Sequence, residues 1–282
     1  MKTIPIVTQN VDRIIRPRDY APLKDDELLV TSYFRTIQGE GPFAGRNAVF
    51  LRLAGCNYGD KSDHCTFCDT SFQFDSGRVI SCIDLLVELT HLPGYSPRDI
   101  LVVTGGEPTL QRNLLNFISM LIDEPEGEVF AAVQVETNGS QAGFFAELAS
   151  WEEHDDLPER YVRPSLVVSP KASLKANRYA EPAEVVKRLA SCFKFVLSAD
   201  ESDPHHTVPE WALEMARSRR QIVYVSPMAV YNKPYAGEVS SAWDHDLINA
   251  QATATNYRYA AEYCMEHNLR LSIQQHLFLA VA

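Results

Sequence analysis

The sequence predicts an α/β fold, a full or partial barrel of βα units, on three observations. Short apolar or β-branched runs recur between segments whose apolar residues follow helical spacing. Strands that alternate with helices favour a parallel sheet with right-handed crossovers. Several runs end in polar or glycine-rich loops, "TGGEPT", "ETNGS", "SPK" and "SPM", and loops at carboxyl strand ends are where barrel and open α/β enzymes carry their sites.

Taken in order, the first run is "AVFLRLA" at 48–54, and a helix is expected in "CIDLLVELTHL". The strand "DILVVTG" at 99–105 leads into "TGGEPT", and "TLQRNLLNFISMLIDE" reads as the next helix. Residues 129–137 form the strand before "ETNGS", with "AGFFAELASW" as the helix after it. Strands at 165–170, 193–198 and 221–227 follow, the last two separated by the helix "VPEWALEMARS". Residues 228–254 are rich in polar residues, Gly and Pro and read either as a long loop covering the site or as a surface insertion. Beyond them Tyr257, Ala260, Ala261, Cys264 and Met265 keep the i, i+3, i+4, i+7, i+8 stripe of a packed helix face, and 269–275 reads as the last strand. No internal repeat or low-complexity tract interrupts this order, so 1–282 is read as a single domain.

Composition excludes several classes. With 45% hydrophobic and 22% charged residues the chain has the make-up of a globular enzyme rather than a disordered one. A net charge of -11 argues against nucleic acid or anionic lipid as a broad electrostatic partner. Arg52 and Gly55 interrupt the most apolar stretch, so no membrane-spanning helix is expected. The opening residues lack the apolar core and cleavage site of a signal peptide, which places the expected site of action in the cytoplasm. A chain of this size has no need of disulfide staples. Cys82, Cys192 and Cys264 sit alone in apolar stretches and read as buried thiols.

The other three cysteines are unusual. "CNYGDKSDHCTFC" sets Cys56, Cys65 and Cys68 in a C-x8-C-x2-C pattern with His64 beside the second. One reading is a closed zinc site of three Cys and His64. The other is a [4Fe-4S] cluster with three irons held by thiolates and the fourth left open. The glycine-rich strand ends downstream favour the second, because a zinc knuckle needs neither of them.

"CTFCDT" followed by "VVTGGEPTLQ" and "ETNGS" resembles the radical S-adenosylmethionine superfamily. "YFRTIQGEGPFAGRNAVFLRLAGC" and the closing "RLSIQQHLFLAVA" resemble one family within it, the 7-carboxy-7-deazaguanine synthases. The likeness spans roughly residues 31 to 282, leaving 1–27 as a peripheral extension. The spacing of eight residues before Cys65 departs from the superfamily's usual three, and the polar, turn-rich insert suits a loop excursion.

The resemblance implies a partial or modified (βα) barrel of the radical S-adenosylmethionine type. The implied reaction converts 6-carboxy-5,6,7,8-tetrahydropterin to 7-carboxy-7-deazaguanine with loss of ammonia, a step of queuosine biosynthesis. Alternatives are an activase of a glycyl-radical enzyme and a zinc-stabilised binding module. Implied cofactors are a [4Fe-4S] cluster on Cys56, Cys65 and Cys68, S-adenosylmethionine, and Mg²⁺ on the Thr70 hydroxyl, where one protein oxygen suits a mostly hydrated ion. Phe67, Cys68 and Asp69 are expected against S-adenosylmethionine, with Phe67 at the adenine. Gly105, Gly106 and Glu107 are expected at its methionine part, because glycine lets backbone approach closely. Ser169, Pro170, Lys171, Ser226 and Pro227 surround the rest, and Glu136 is read as a ribose ligand or simply a polar strand end. Ile37, Gln38, Gly39, Glu40, Arg52, Thr104 and His276 match substrate positions. An arginine within an apolar strand must meet an anion, and the substrate carboxylate or a structural Asp or Glu fits Arg52. The carboxylate of Ala282 is implied to accept two parallel bonds from the pterin. A flavodoxin or ferredoxin as electron donor and a homodimer complete what the family implies.

These expectations separate the two metal readings. His64→Ala is expected to keep full iron and sulfide after anaerobic reconstitution, while Ala at Cys56, Cys65 or Cys68 loses the cluster. Iron loss in the histidine variant would favour the zinc site.

Overall fold

The computed structural model describes residues 14–15, 23–58, 68, 77–123, 129–151, 163–173, 175–232 and 248–279. The extension expected over 1–27 therefore lies largely outside the described residues. The chain opens with β1 (Ile14–Ile15), β2 (Glu27–Ile37), β3 (Asn47–Leu53) and β4 (Gly77–Ser81). Then come α1 (Cys82–Thr90), β5 (Ile100–Gly105), α2 (Leu114–Asp123), β6 (Ala132–Thr137), α3 (Ala142–Trp151) and β7 (Ser165–Val168). A small hairpin of β8 (Ala172–Ser173) and β9 (Arg178–Tyr179) precedes α4 (Glu184–Leu189), β10 (Cys192–Leu197), α5 (Glu210–Arg217) and β11 (Val223–Pro227). The last elements are α6 (Ala250–His267), β12 (Arg270–Leu271) and α7 (Gln275–Leu279).

Ten strands form one sheet in the order β1-β4-β2-β3-β5-β6-β7-β10-β11-β12. From β3 onward every neighbouring pair is parallel and each later strand in the sheet adds beside its predecessor. Pairings among β1, β4, β2 and β3 are antiparallel. The α/β class with a parallel-rich sheet thus holds. Among the described residues the ladders end at β1 and at β12 without meeting, so hydrogen bonding does not close a full barrel.

Winding in one direction sends the helices to one face. Leu101, Val103, Leu166, Val168, Phe193, Phe195, Val223 and Val225 pack there in one core with Ile118, Phe145, Leu148, Ala212 and Ala260 from the helices. The alternate strand positions face the other way. They include Arg52, Thr104, Gln134, Glu136, Lys194 and Ser226, and this polar face is crossed by the loop that follows β2. Two bonds tie that loop to the far edge: the Gly41 amide donates to Ser272 Oγ at 2.9 Å and the Gln275 amide to Gly39 O at 3.2 Å.

Several expectations shift. The strand expected at 269–275 is only Arg270–Leu271, because the chain turns at Ser272 and enters α7. The long segment 228–254 ends sooner, since Asn249 accepts from the Ala252 amide as an N-cap and α6 starts at Ala250. Residues 233–247 lie outside the described residues, while Tyr231 and Ile248 pair as a bridge across their ends. In α6, Met265 is exposed and the packed face runs through Thr253, Asn256, Ala260, Tyr263 and Cys264. Asn256 is buried because it accepts from the Ala199 amide and donates to Met228 O, which an apolar pattern cannot reveal. Cys82, Cys192 and Cys264 are buried, as read. No helix among the described residues is long and apolar enough to cross a membrane.

One buried side chain holds β2 and β3 to the loop after β5. Gln111 accepts from the Leu29 amide at 2.8 Å and donates to Leu29 O at 2.9 Å and Ala54 O at 3.1 Å. Gln111→Ala would take its partner from the buried Leu29 amide, while Leu29 O keeps the Ala54 amide at 3.0 Å. It is expected to lower unfolding stability by about 2 kcal/mol, measurable by urea denaturation.

Candidate active site

The site starts where β3 and β5 end side by side. The Gly106 amide donates to Leu53 O at 3.1 Å, and the Glu107 amide to Gly55 O at 2.8 Å. A Cβ on Gly105, which has φ +126°, would lie 2.1 Å from Leu53 O. One on Gly106 would lie 2.0 Å from Gly55 O and 2.9 Å from Cys56 Cβ. Only glycine lets the two strand ends meet, and that contact seats Cys56. Cys56 and Cys68 are both partly exposed thiols. Cys65, with His64, Phe67, Asp69, Thr70 and Ala282, lies outside the described residues.

Glu107 is buried, and its carboxylate joins loops rather than facing solvent. It accepts from the Thr109 amide at 3.1 Å, the Thr137 hydroxyl at 2.6 Å and the Asn138 amide at 2.6 Å. Burial pushes its pKa up against these hydrogen bonds, which act to lower it. Asn138 also donates to Asn57 Oδ1 at 2.9 Å, and Asn57 donates to the Ser140 hydroxyl at 2.8 Å. The cysteine loop, "GGEP" and "ETNGS" are therefore cross-linked into one platform. The Ser169 amide extends it by donating to Thr137 O at 2.7 Å, and Lys171 Nζ donates to Ser169 Oγ at 2.7 Å. Pro170 is buried beside them.

A second group occupies the polar face of the sheet. Gln38 donates to Glu136 Oε1 at 3.0 Å, as does Gln134. Glu40 Oε2 is 2.7 Å from Lys194 Nζ, and its Oε1 accepts from the Ser226 hydroxyl at 2.9 Å. Burial opposes the charge on Glu40, yet Lys194, His276 and the Ser226 hydroxyl hold its carboxyl below the usual range. Burial likewise opposes the charge on Lys194, and Glu136 and Glu40 outweigh it and raise its pKa. His276 packs on Gly39, where a Cβ would be 2.6 Å from its Nδ1. Arg52 lies level with Thr104 in the ladder, its guanidinium carbon 4.9 Å from the centre of the Phe34 ring.

The structure thus brings Gln38, Gly39, Glu40 and His276 together. Glu136 and Ser226, expected at the cofactor, make their hydrogen bonds with Gln38 and Glu40. Pro227 closes β11 next to Ser226, and Ile37 closes β2 next to Gln38. Lys194 was not foreseen. Its signal was present, because a lysine inside "CFKFVL" needs an anion for the same reason Arg52 does.

No family model matches the chain. The 7-carboxy-7-deazaguanine synthase of Rhodospirillum rubrum is 30% identical over 273 residues, which cover 93% of this chain and 95% of that protein. The synthase of the same name from Rickettsia prowazekii is 29% identical and covers 90% and 89%. The crystal structure of QueE from Escherichia coli is similar in fold, with a TM-score of 0.55 at 21% identity over 88% of this chain and 94% of that one.

The glycine contact yields a direct test. Gly106→Ala is expected to displace Cys56, to destabilise the protein by about 3 kcal/mol, and to hold less iron after reconstitution. Thermal melting and iron analysis together check it, and full iron content would show that the contact does not seat Cys56.

Proposed function

The chain belongs to the 7-carboxy-7-deazaguanine synthase family, and from that premise we propose how its two residue groups divide the work. The reaction is the family's ring contraction in the queuosine pathway, carried out by a radical S-adenosylmethionine lyase. It converts 6-carboxy-5,6,7,8-tetrahydropterin to 7-carboxy-7-deazaguanine and ammonia.

The residues present fit an iron-sulfur cluster. Cys56 and Cys68 are accessible, whereas burial pushes the thiols of Cys82, Cys192 and Cys264 up to about 11, 12 and 11 and keeps them protonated. Cys56, Cys65 and Cys68 would hold three irons and leave one open to S-adenosylmethionine. When bound, the cluster and S-adenosylmethionine supply the radical chemistry that starts on the pterin.

The protein's own part is orientation and exclusion of water. In this proposal Gly105 and Gly106 offer backbone to the methionine end, and Ser169, Pro170 and Lys171 flank the rest of the cofactor. Phe67 and Asp69 complete that side. Gln38, Gly39, Glu40, Thr104 and His276 line the pterin, with Arg52 for its carboxylate and the Ala282 carboxylate for its amino edge. Thr70 would offer one hydroxyl oxygen to a Mg²⁺ ion, whose charge would help orient the substrate. The partial barrel of the superfamily, a flavodoxin or ferredoxin as reductant, a dimer of two chains and a cytoplasmic site of action belong to the same proposal. The observation that carries it is the glycine contact that sets an accessible cysteine at the mouth of a parallel sheet.

Anaerobically reconstituted protein with reductant, S-adenosylmethionine, Mg²⁺ and the carboxy-tetrahydropterin is expected to release the deazapurine, followed by chromatography. Absence of product would overturn the proposal. Thr70→Ala is expected to keep its cluster, turn over more slowly and respond less to added Mg²⁺, and an unchanged Mg²⁺ response would remove Thr70 from this role.

A further inference from the structure

A buried ion pair joins positions 154 residues apart, Lys194 in β10 and Glu40 in the loop after β2. Both side chains are largely withdrawn from water, at 9% and 14% exposure. Such pairs recover their desolvation cost only with good geometry, and apolar replacements often serve stability as well or better. The geometry here is good and does not stop at the pair. The Glu40 amide donates to Gln38 Oε1 at 3.1 Å, and Gln38 Nε2 donates to Glu136 Oε1 at 3.0 Å. One chain of bonds therefore runs from Lys194 through Glu40 and Gln38 to Glu136. Its far end is steadied by Gln134, and its near end by Ser226, whose hydroxyl also lies 2.7 Å from Ser272 O.

Besides Arg52 further along it, this face holds the carboxylates of Glu40 and Glu136 and the ammonium of Lys194. Lys194, Ser226, Gln38 and Gln134 donate to these two carboxylates, which together offer about eight acceptor sites. A ligand amino group keeps one N–H free after the two parallel bonds assigned to the Ala282 carboxylate, and that N–H supplies a further donor. We infer that Lys194 is a positioning residue for the pterin, holding Glu40, and through it Gln38, in the orientation that receives the amino N–H left free by the Ala282 carboxylate. Lys194 itself meets Glu40 and needs no contact with substrate. This deepens the proposed function and rests on its assignment of the pterin to this face.

The test uses reconstituted holoenzyme with S-adenosylmethionine and 6-carboxypterin, an oxidised analogue that does not react, followed by anaerobic calorimetry. Lys194→Met is expected to weaken 6-carboxypterin binding by roughly tenfold or more while S-adenosylmethionine binding is kept. Glu40→Gln removes the carboxylate that Lys194 holds, so adding Lys194→Met to it is expected to cost much less than Lys194→Met costs alone, Glu136 being the charge that still faces the lysine. Multiplying losses in the double variant would mean that Lys194 acts elsewhere and would overturn the inference. So would unchanged pterin binding in Lys194→Met. Should that single variant not fold, the double variant is compared with Glu40→Gln alone, and a further loss of roughly tenfold or more again overturns it. Failure of the wild-type protein to bind 6-carboxypterin or to convert the substrate would instead count against the proposed function.

Discussion

At the carboxyl ends of β3 and β5 two stretches of backbone touch with no side chain between them. Leu53 and Gly55 offer carbonyls, Gly106 and Glu107 offer amides, and the space a Cβ at 105 or 106 would need is already filled. Everything beyond depends on this approach. It fixes where the cysteine loop leaves the sheet, and it delivers Glu107 to the interior, where its carboxylate gathers amides and hydroxyls from "GGEP" and "ETNGS". A buried carboxylate is tolerated only when its lone pairs are used, so the glycines and the glutamate are one device. The glycines bring the loops close and the glutamate holds them there.

The polar face of the sheet is organised from the opposite side. The loop after β2 leaves at the amino ends of the parallel strands, since Ile37 pairs with Asn47 at the start of β3. It then crosses toward β6, β10 and β11 and is tied down beyond β12. A sheet whose edges do not pair is thereby spanned by a loop, and the span carries Gln38 and Glu40. Gly39 has its own reason to lack a side chain, because the His276 ring takes that space.

How much of this was legible in the sequence follows from which interactions are local. Buried parallel strands such as Ile100–Gly105 and Val223–Pro227 show as short apolar runs, and the helices between them show their period. β2 was missed although it is eleven residues long, because a register shift between Val30 and Ser32 breaks its alternation. β4 and α4 are short, and β4 sets Arg78 and Ser81 among its apolar residues. In the site, glycine motifs and cysteines declare themselves by residue type. Lys194 and Glu107 do not, since their meaning lies in partners 154 and 30 positions away. Arg52 was noticed and Lys194 overlooked on identical grounds, a charge set inside an apolar run.

At one edge of the large sheet the strand Arg270–Leu271 is two residues long. A long, flat edge would offer another chain a row of unpaired amides and carbonyls. Here β12 gives way after two residues to a turn and then to α7, whose backbone groups are turned inward to helical bonds. That edge therefore offers little template for intermolecular β-pairing. Resistance to clumping on this side is built into the brevity of the outer strand, independently of any chemistry performed on the sheet.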